Sequence, residues 1–155
     1  MSIWYTGSGY EIGYEELLKL VEEHVGNQGK IYIGTDSFLN KDKCVFATAI
    51  CFHKGGLQGG RYFFQRNVAK AKQFKALLAR ILAEVEKTIF FASKIHEAYP
   101  DADIELHLDI GASTAKGETA KYSDMLTGFA RSTGFVCKVK PESWASSSIA
   151  DKHSK

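Results

Sequence analysis

Only two prolines, Pro100 and Pro141, interrupt the 155-residue chain, and no Gly/Ser/Pro-rich linker, repeat or low-complexity tract divides it. At roughly 100–200 residues per domain, that absence leaves a single domain with its own core. The three cysteines, Cys44, Cys51 and Cys137, are odd in number and form no CxxC pair. This excludes a disulfide framework and makes them small buried hydrophobes. His24, His53, His96, His107 and His153 are scattered, which argues against zinc. No apolar run approaches the ~18 residues that span a bilayer, and Met1–Gly13 lacks the basic-then-apolar pattern of a secretion signal. A cytoplasmic protein with no membrane association is expected. Excess charge is also missing: 20 Lys+Arg against 18 Asp+Glu leave a net +2, which by itself speaks against a polyanionic partner.

What is present is a change of period along the chain. Tyr14–Val25 carries Leu17, Leu18, Leu20, Val21 and Val25 between Glu and Lys residues, an amphipathic helix ending near Gly26. Lys30–Asp36, Lys43–Phe52 and Arg61–Gln65 are β-rich and separated by turn residues. Ala69–Ala98 repeats apolar residues three and four apart, predicting a long helix stopped by Pro100. Ile104–Ile110, a helix over Thr119–Ser132, the strand Phe135–Lys140 and a helix over Glu142–Asp151 complete the order. Tight turns make the first three strands antiparallel, and helical connections make the later ones parallel to the first. The expected fold is α/β: a mixed five-stranded sheet with helices on both faces. Residues 1–29 would be an N-terminal extension and helix packed on a domain of residues 30–155. The aromatic-rich start (Trp4, Tyr5, Tyr10, Tyr14) would drape over that domain.

Ligands in such sheets gather at the carboxyl ends of parallel strands. The first strand ends in Asp36-Ser37, the fourth in Asp109, and the last helix in Asp151. Ser147 and Ser148 give that helix a small-residue face able to approach the sheet edge. Three converging carboxylates raise one another's pKa unless a cation neutralises them. Oxygen ligands of this kind suit Mg²⁺ or Mn²⁺, and two such ions are able to drive phosphodiester displacement. Asp36, Asp109 and Asp151 are therefore the candidate metal ligands and catalytic residues. Ser37 would support them, His107 shares a strand face with Asp109, and His153 stands two residues past Asp151. The polar loop 111–117, with Ser113, Thr114 and Lys116, flanks this edge but lacks P-loop spacing, so no small-molecule cofactor is expected.

Charge is unevenly spread. Between Lys43 and Ala83 stand eight basic residues and no acid, Arg66, Lys70, Lys72 and Lys75 among them. Such a block forms either a positive face for a phosphate backbone or an ordinary solvated surface. Tyr62, Phe63, Phe64 and Phe74 are interleaved with it, either as stacking rings or as core.

The strand order and the three aspartates resemble the ribonuclease H-like fold. The stretches IYIGTDS, LHLDIG, RILAEVEKTIFFAS and GFVCKVKPESWASSSIADKHSK are similar to the YkuK-type, ribonuclease H-like domain family, from Lys30 onward. The resemblance implies Asp36 and Asp109 as a metal-bridging pair, Asp151 as a third ligand, and nuclease activity on RNA or DNA. One departure stands out: no acid lies between Asp42 and Glu84, where the ribonuclease H pattern has a Glu near the start of the long helix. Measured from Ala69, Glu84 falls roughly 20 Å along the helix, far for a direct ligand, yet it resembles a family position and stays a supporting candidate. Gln73 stands at the better height, where its neutral amide would be a weaker supporting partner. A catalytically decayed module of the same fold, binding nucleic acid or a protein partner, is thus the alternative. A two-domain phosphotransferase of the sugar-kinase type is excluded by length.

Overall fold

A computed structural model describes residues 3–53, 60–111 and 120–155. Two long strands, β3 (Lys30–Asn40) and β4 (Lys43–His53), form the middle of the sheet and pair antiparallel from Lys30↔His53 to Asn40↔Lys43. β5 (Arg61–Lys70) continues antiparallel on β4. β6 (Asp103–His107) runs parallel to β3, and β7 (Val136–Lys138) runs parallel to β6.

The sheet has seven strands rather than the expected five, in the order β2-β1-β5-β4-β3-β6-β7. The additional pair comes from the aromatic N-terminal segment. β1 (Trp4–Thr6) and β2 (Glu11–Ile12) form a short hairpin, and β1 pairs with the outer edge of β5. Trp4 is fully buried and meets Phe91 edge to face at 5.1 Å, so burial of one large ring anchors strands too short to show a period.

Helices α1 (Tyr14–Gly26), α2 (Leu77–Ala98) and α3 (Ser123–Arg131) cover one face of the sheet. Alternate residues of the central strands (Ile31, Ile33, Ile50, Phe52, Leu106) meet Leu17, Val21, Ile81, Val85 and Leu126 there. Each such fully buried aliphatic contributes about 1.5–3 kcal/mol of transfer free energy. The opposite face holds a smaller cluster of Ala49, Cys51, Ala145 and Ala150 beneath the C-terminal segment. That segment is a wide helical turn, Ala145–Ala150, followed by α4 (Asp151–Ser154). Asp151 therefore opens the final helical turn instead of ending the helix. All three cysteines are free and buried. Among the described residues, no helix is long and apolar enough to cross a membrane.

The long helix begins eight residues later than the apolar period suggests. β5 extends to Lys70, whose partner is Lys43, and Ala71 donates its N–H to the Asp42 carbonyl. The backbone groups that would start a helix at Ala69 are thus committed to the ladder. A single 3₁₀ turn, Ala71–Gln73, separates strand from helix.

Candidate metal centre

β3 outruns its parallel neighbour. β6 pairs with β3 only as far as Gly34↔His107, and β3 continues six residues further. Asp36 thus lies inside its strand, not at its end, at the point where the sheet opens beside it. Two residues past His107, Asp109 comes level with Asp36. Leu108 N–H still bonds the Lys138 carbonyl at 2.9 Å, which holds this stretch in line.

The delayed start of α2 moves Glu84 to the same place. Counted from Leu77, it stands about 10 Å along the helix axis, not 20. One oxygen from each of Asp36, Glu84 and Asp109 lies within 4.8 Å of the others. Asp36 and Glu84 are only 5% and 7% exposed. The expected distance of roughly 20 Å, which left Glu84 only a supporting candidate, is corrected, because it rested on a helix starting at Ala69. Gln73, expected at that height, is exposed on the 3₁₀ turn.

Each acid is held from behind. Ser37 donates its hydroxyl to Glu84 Oε2 at 2.5 Å. One turn on, Thr88 donates to Thr35, which hydrogen-bonds Thr48, so a polar chain ties α2 to β3 and β4. Ser154 donates to Asp36 Oδ2 at 3.1 Å, and Lys140 pairs with Asp109 at 3.2 Å. Asp151 flanks the cluster from the C-terminal segment: its carboxyl helps raise that of Asp36, and Lys155 forms an ion pair with it.

The electrostatics follow. Burial, reinforced by the carboxyls of Asp109 and Asp151, pushes Asp36 up to about 8. Burial likewise raises Glu84 well above the carboxylate range, against the hydrogen bond from Ser37. Asp151 is lowered, first by Lys155. Without a cation at the centre, the cluster keeps protons that ordinary carboxyls would lose. This donor set, all oxygen and all acidic, fits a hard divalent cation.

The remaining candidates are arranged differently. His107 is fully buried and does not touch Asp109; Nε2 bonds Glu105 at 2.7 Å and Nδ1 accepts the Ala145 N–H at 3.0 Å. It secures the C-terminal segment to β6. His153 stacks on Phe64 at 3.7 Å and bonds the Tyr62 hydroxyl at 2.8 Å. Burial, with Lys152 and Arg66 nearby, lowers its pKa. Arg66, Lys70, Lys72 and Lys75 are exposed, whereas Phe63 and Phe64 are core rings rather than free stacking surfaces. Lys116, with Ser113 and Thr114, lies outside the described residues. Ser154 was not legible as a site residue, although it stands inside the C-terminal motif.

A sheet with this strand order and acidic residues from its two central parallel strands and the crossing helix defines a ribonuclease H-like domain. The chain belongs to the ribonuclease H-like family, whose model matches residues 13–155. It is of the YkuK type: it is 27% identical over 172 residues to "Uncharacterized protein YkuK" of Bacillus subtilis (strain 168), an alignment covering 99% of this chain and 97% of that protein. No solved structure matches it significantly. Membership in this family supports a nuclease-like or nucleic-acid-binding module, and the family generally uses divalent metals.

Proposed function

We propose that this chain is a Mg²⁺- or Mn²⁺-dependent nuclease that hydrolyses phosphodiester bonds in RNA or DNA. The observation that carries the proposal is the convergence of Asp36, Glu84 and Asp109 oxygens within 4.8 Å in a largely buried setting. Those three would hold the metal, with Asp151 at the rim. When bound, the metal supplies activation of water and stabilisation of the leaving oxygen. The protein's part is to fix the ligands. Ser37 orients Glu84, Ser154 orients Asp36, and Lys140 partly offsets the charge of Asp109.

The reading of a decayed module drew on the absence of a helix acid, and Glu84 removes that ground. The test is calorimetric titration with Mn²⁺ alongside cleavage of a mixed RNA and DNA panel. Wild type binds Mn²⁺ and cleaves, and Asp36→Asn and Asp109→Asn do neither. Mn²⁺ binding without cleavage of any substrate would restore the binding-module reading, and unchanged cleavage by the variants would refute the site.

A further inference from the structure

The α2 face of the sheet is covered, but the opposite face is open beyond the C-terminal segment, and what it presents there is ordered by register. Residues paired across the ladder point to one side. Asp36 faces Ala47, which faces Arg66, so an arginine stands in the row of the acidic cluster, about 10 Å away across two strand spacings. The next row is Phe38, Val45 and Val68, and the third is Asn40, Lys43 and Lys70.

The middle row is apolar yet uncovered at both ends: Phe38 is 37% exposed and Val68 57%. Lys155 lies over the Phe38 ring at 6.0 Å. Behind the third row, Lys41, Lys70, Lys72 and Lys75 line a cavity of about 440 Å³, with Asp42 the acid in its wall. From the acids outward the surface therefore reads carboxylate, ring, cation. The ring lies two residues along β3 from Asp36 and the lysine row four residues, about 13 Å in all.

We infer that this strip is the substrate track, and that it accepts single-stranded nucleic acid. The inference rests on the nuclease reading for its polarity, with the scissile phosphate at Asp36. An apolar ring set between a metal site and a group of cations matches one feature of a polynucleotide, a base face between two backbone phosphates. In a duplex that face is hidden within the stack. Only an unpaired base presents it to Phe38 while its neighbouring phosphates reach Arg66 and the Lys43–Lys70 row. Of the rings the sequence offered for stacking, Phe63 and Phe64 are buried, and the half-buried Tyr62 and Phe74 pack against His153 and Phe46; the ring in the row next to the acids is Phe38.

The test is fluorescence anisotropy of labelled 12-nucleotide single strands, RNA and DNA, and of the matching duplexes. It uses the full chain in EDTA, where no cleavage occurs, across a salt series. The single strand is expected to bind at least tenfold more tightly than the duplex. Phe38→Ala weakens single-strand binding about tenfold without changing its salt slope, and Phe38→Trp restores it. The double variant Lys43→Ala/Lys70→Ala lowers the slope of log K against log salt by about 1.4, at about 0.7 per phosphate contact. Thermal melts confirm that each variant is folded. Equal or tighter duplex binding, or a Phe38→Ala variant that binds as wild type, overturns the inference. Because binding is read without metal, this outcome is separable from the nuclease test. The track stands if binding follows the pattern and nothing is cleaved, and falls alone if cleavage occurs but these variants change nothing.

Discussion

A β-carbon on Gly34 would stand 2.5 Å from the backbone nitrogen of Ser146 and 2.9 Å from the carbonyl carbon of Ala145. The C-terminal segment thus rests directly on the backbone of β3, two residues from Asp36. Since the obstruction is backbone, no rotamer change relieves it. Gly34→Ala is expected to lift the segment, at about 1–3 kcal/mol for overpacking, and to break the Ser154–Asp36 hydrogen bond. Hydrogen exchange should show protection lost over residues 145–154 while the α2 core keeps its own. A variant with wild-type exchange in this segment would refute the contact.

Glu84→Gln separates structure from function at one position. The amide still accepts the Ser37 hydroxyl but carries no charge to bury. The metal-free protein is expected to gain stability, because a buried acid facing Asp36 and Asp109 is removed. Mn²⁺ affinity is expected to fall at least about tenfold, the scale of lost support at metal sites. Thermal melts with and without Mn²⁺ measure both. A metal-free melting temperature below that of wild type would contradict the electrostatic account.

Stability should also depend on pH in a defined direction. Asp36 titrates near 8 in the folded protein against 3.8 in its absence, and Glu84 is raised as well. Between those limits the folded state holds more protons than the unfolded state, so stability falls as pH rises. His107 and His153 are lowered and act oppositely, but only below about 6.5. From about pH 6.5 to 8 the carboxyls dominate, and the metal-free melting temperature should decline. Saturating Mn²⁺ should cancel the decline, since the metal binds the deprotonated form. A flat metal-free profile over this window would show that the acids are not protonated.

His107 supports a further prediction. His107→Leu leaves the Ala145 N–H without its acceptor and Glu105 without its buried donor, though Glu105 keeps Lys30 at 3.3 Å. The cost is about 1–3 kcal/mol for each orphaned group. Adding Glu105→Leu should recover part of it, which chemical denaturation of the single and double variants would measure. Strictly additive losses would mean that the two side chains are not coupled.

How much of this was legible follows the lengths of the elements. β3 and β4 are long β-rich runs, and α1 carries a clear helical period. β1 and β2 hold three and two residues, too few to express any period, and only the burial of Trp4 reveals them. The outer half of β5, Arg66–Lys70, is mostly exposed and so lacks an apolar signature, while Ala69 and Lys70 read as helix formers. That one misreading moved the helix origin to Ala69 and displaced Glu84 from the site. Asp36 and Asp109 were legible because each follows a run of buried β residues.

The hydrogen bond from Ser154 to Asp36 spans 118 residues. At about 5–20 residues per second, a ribosome completes Asp36 roughly 6–24 s before it makes Ser154. During that interval the acidic centre lacks its closing contact from Ser154. The acidic cluster is thus closed by a contact made long after its first carboxylate, and a variant without the Ser154 hydroxyl would keep the sheet core and lose that contact.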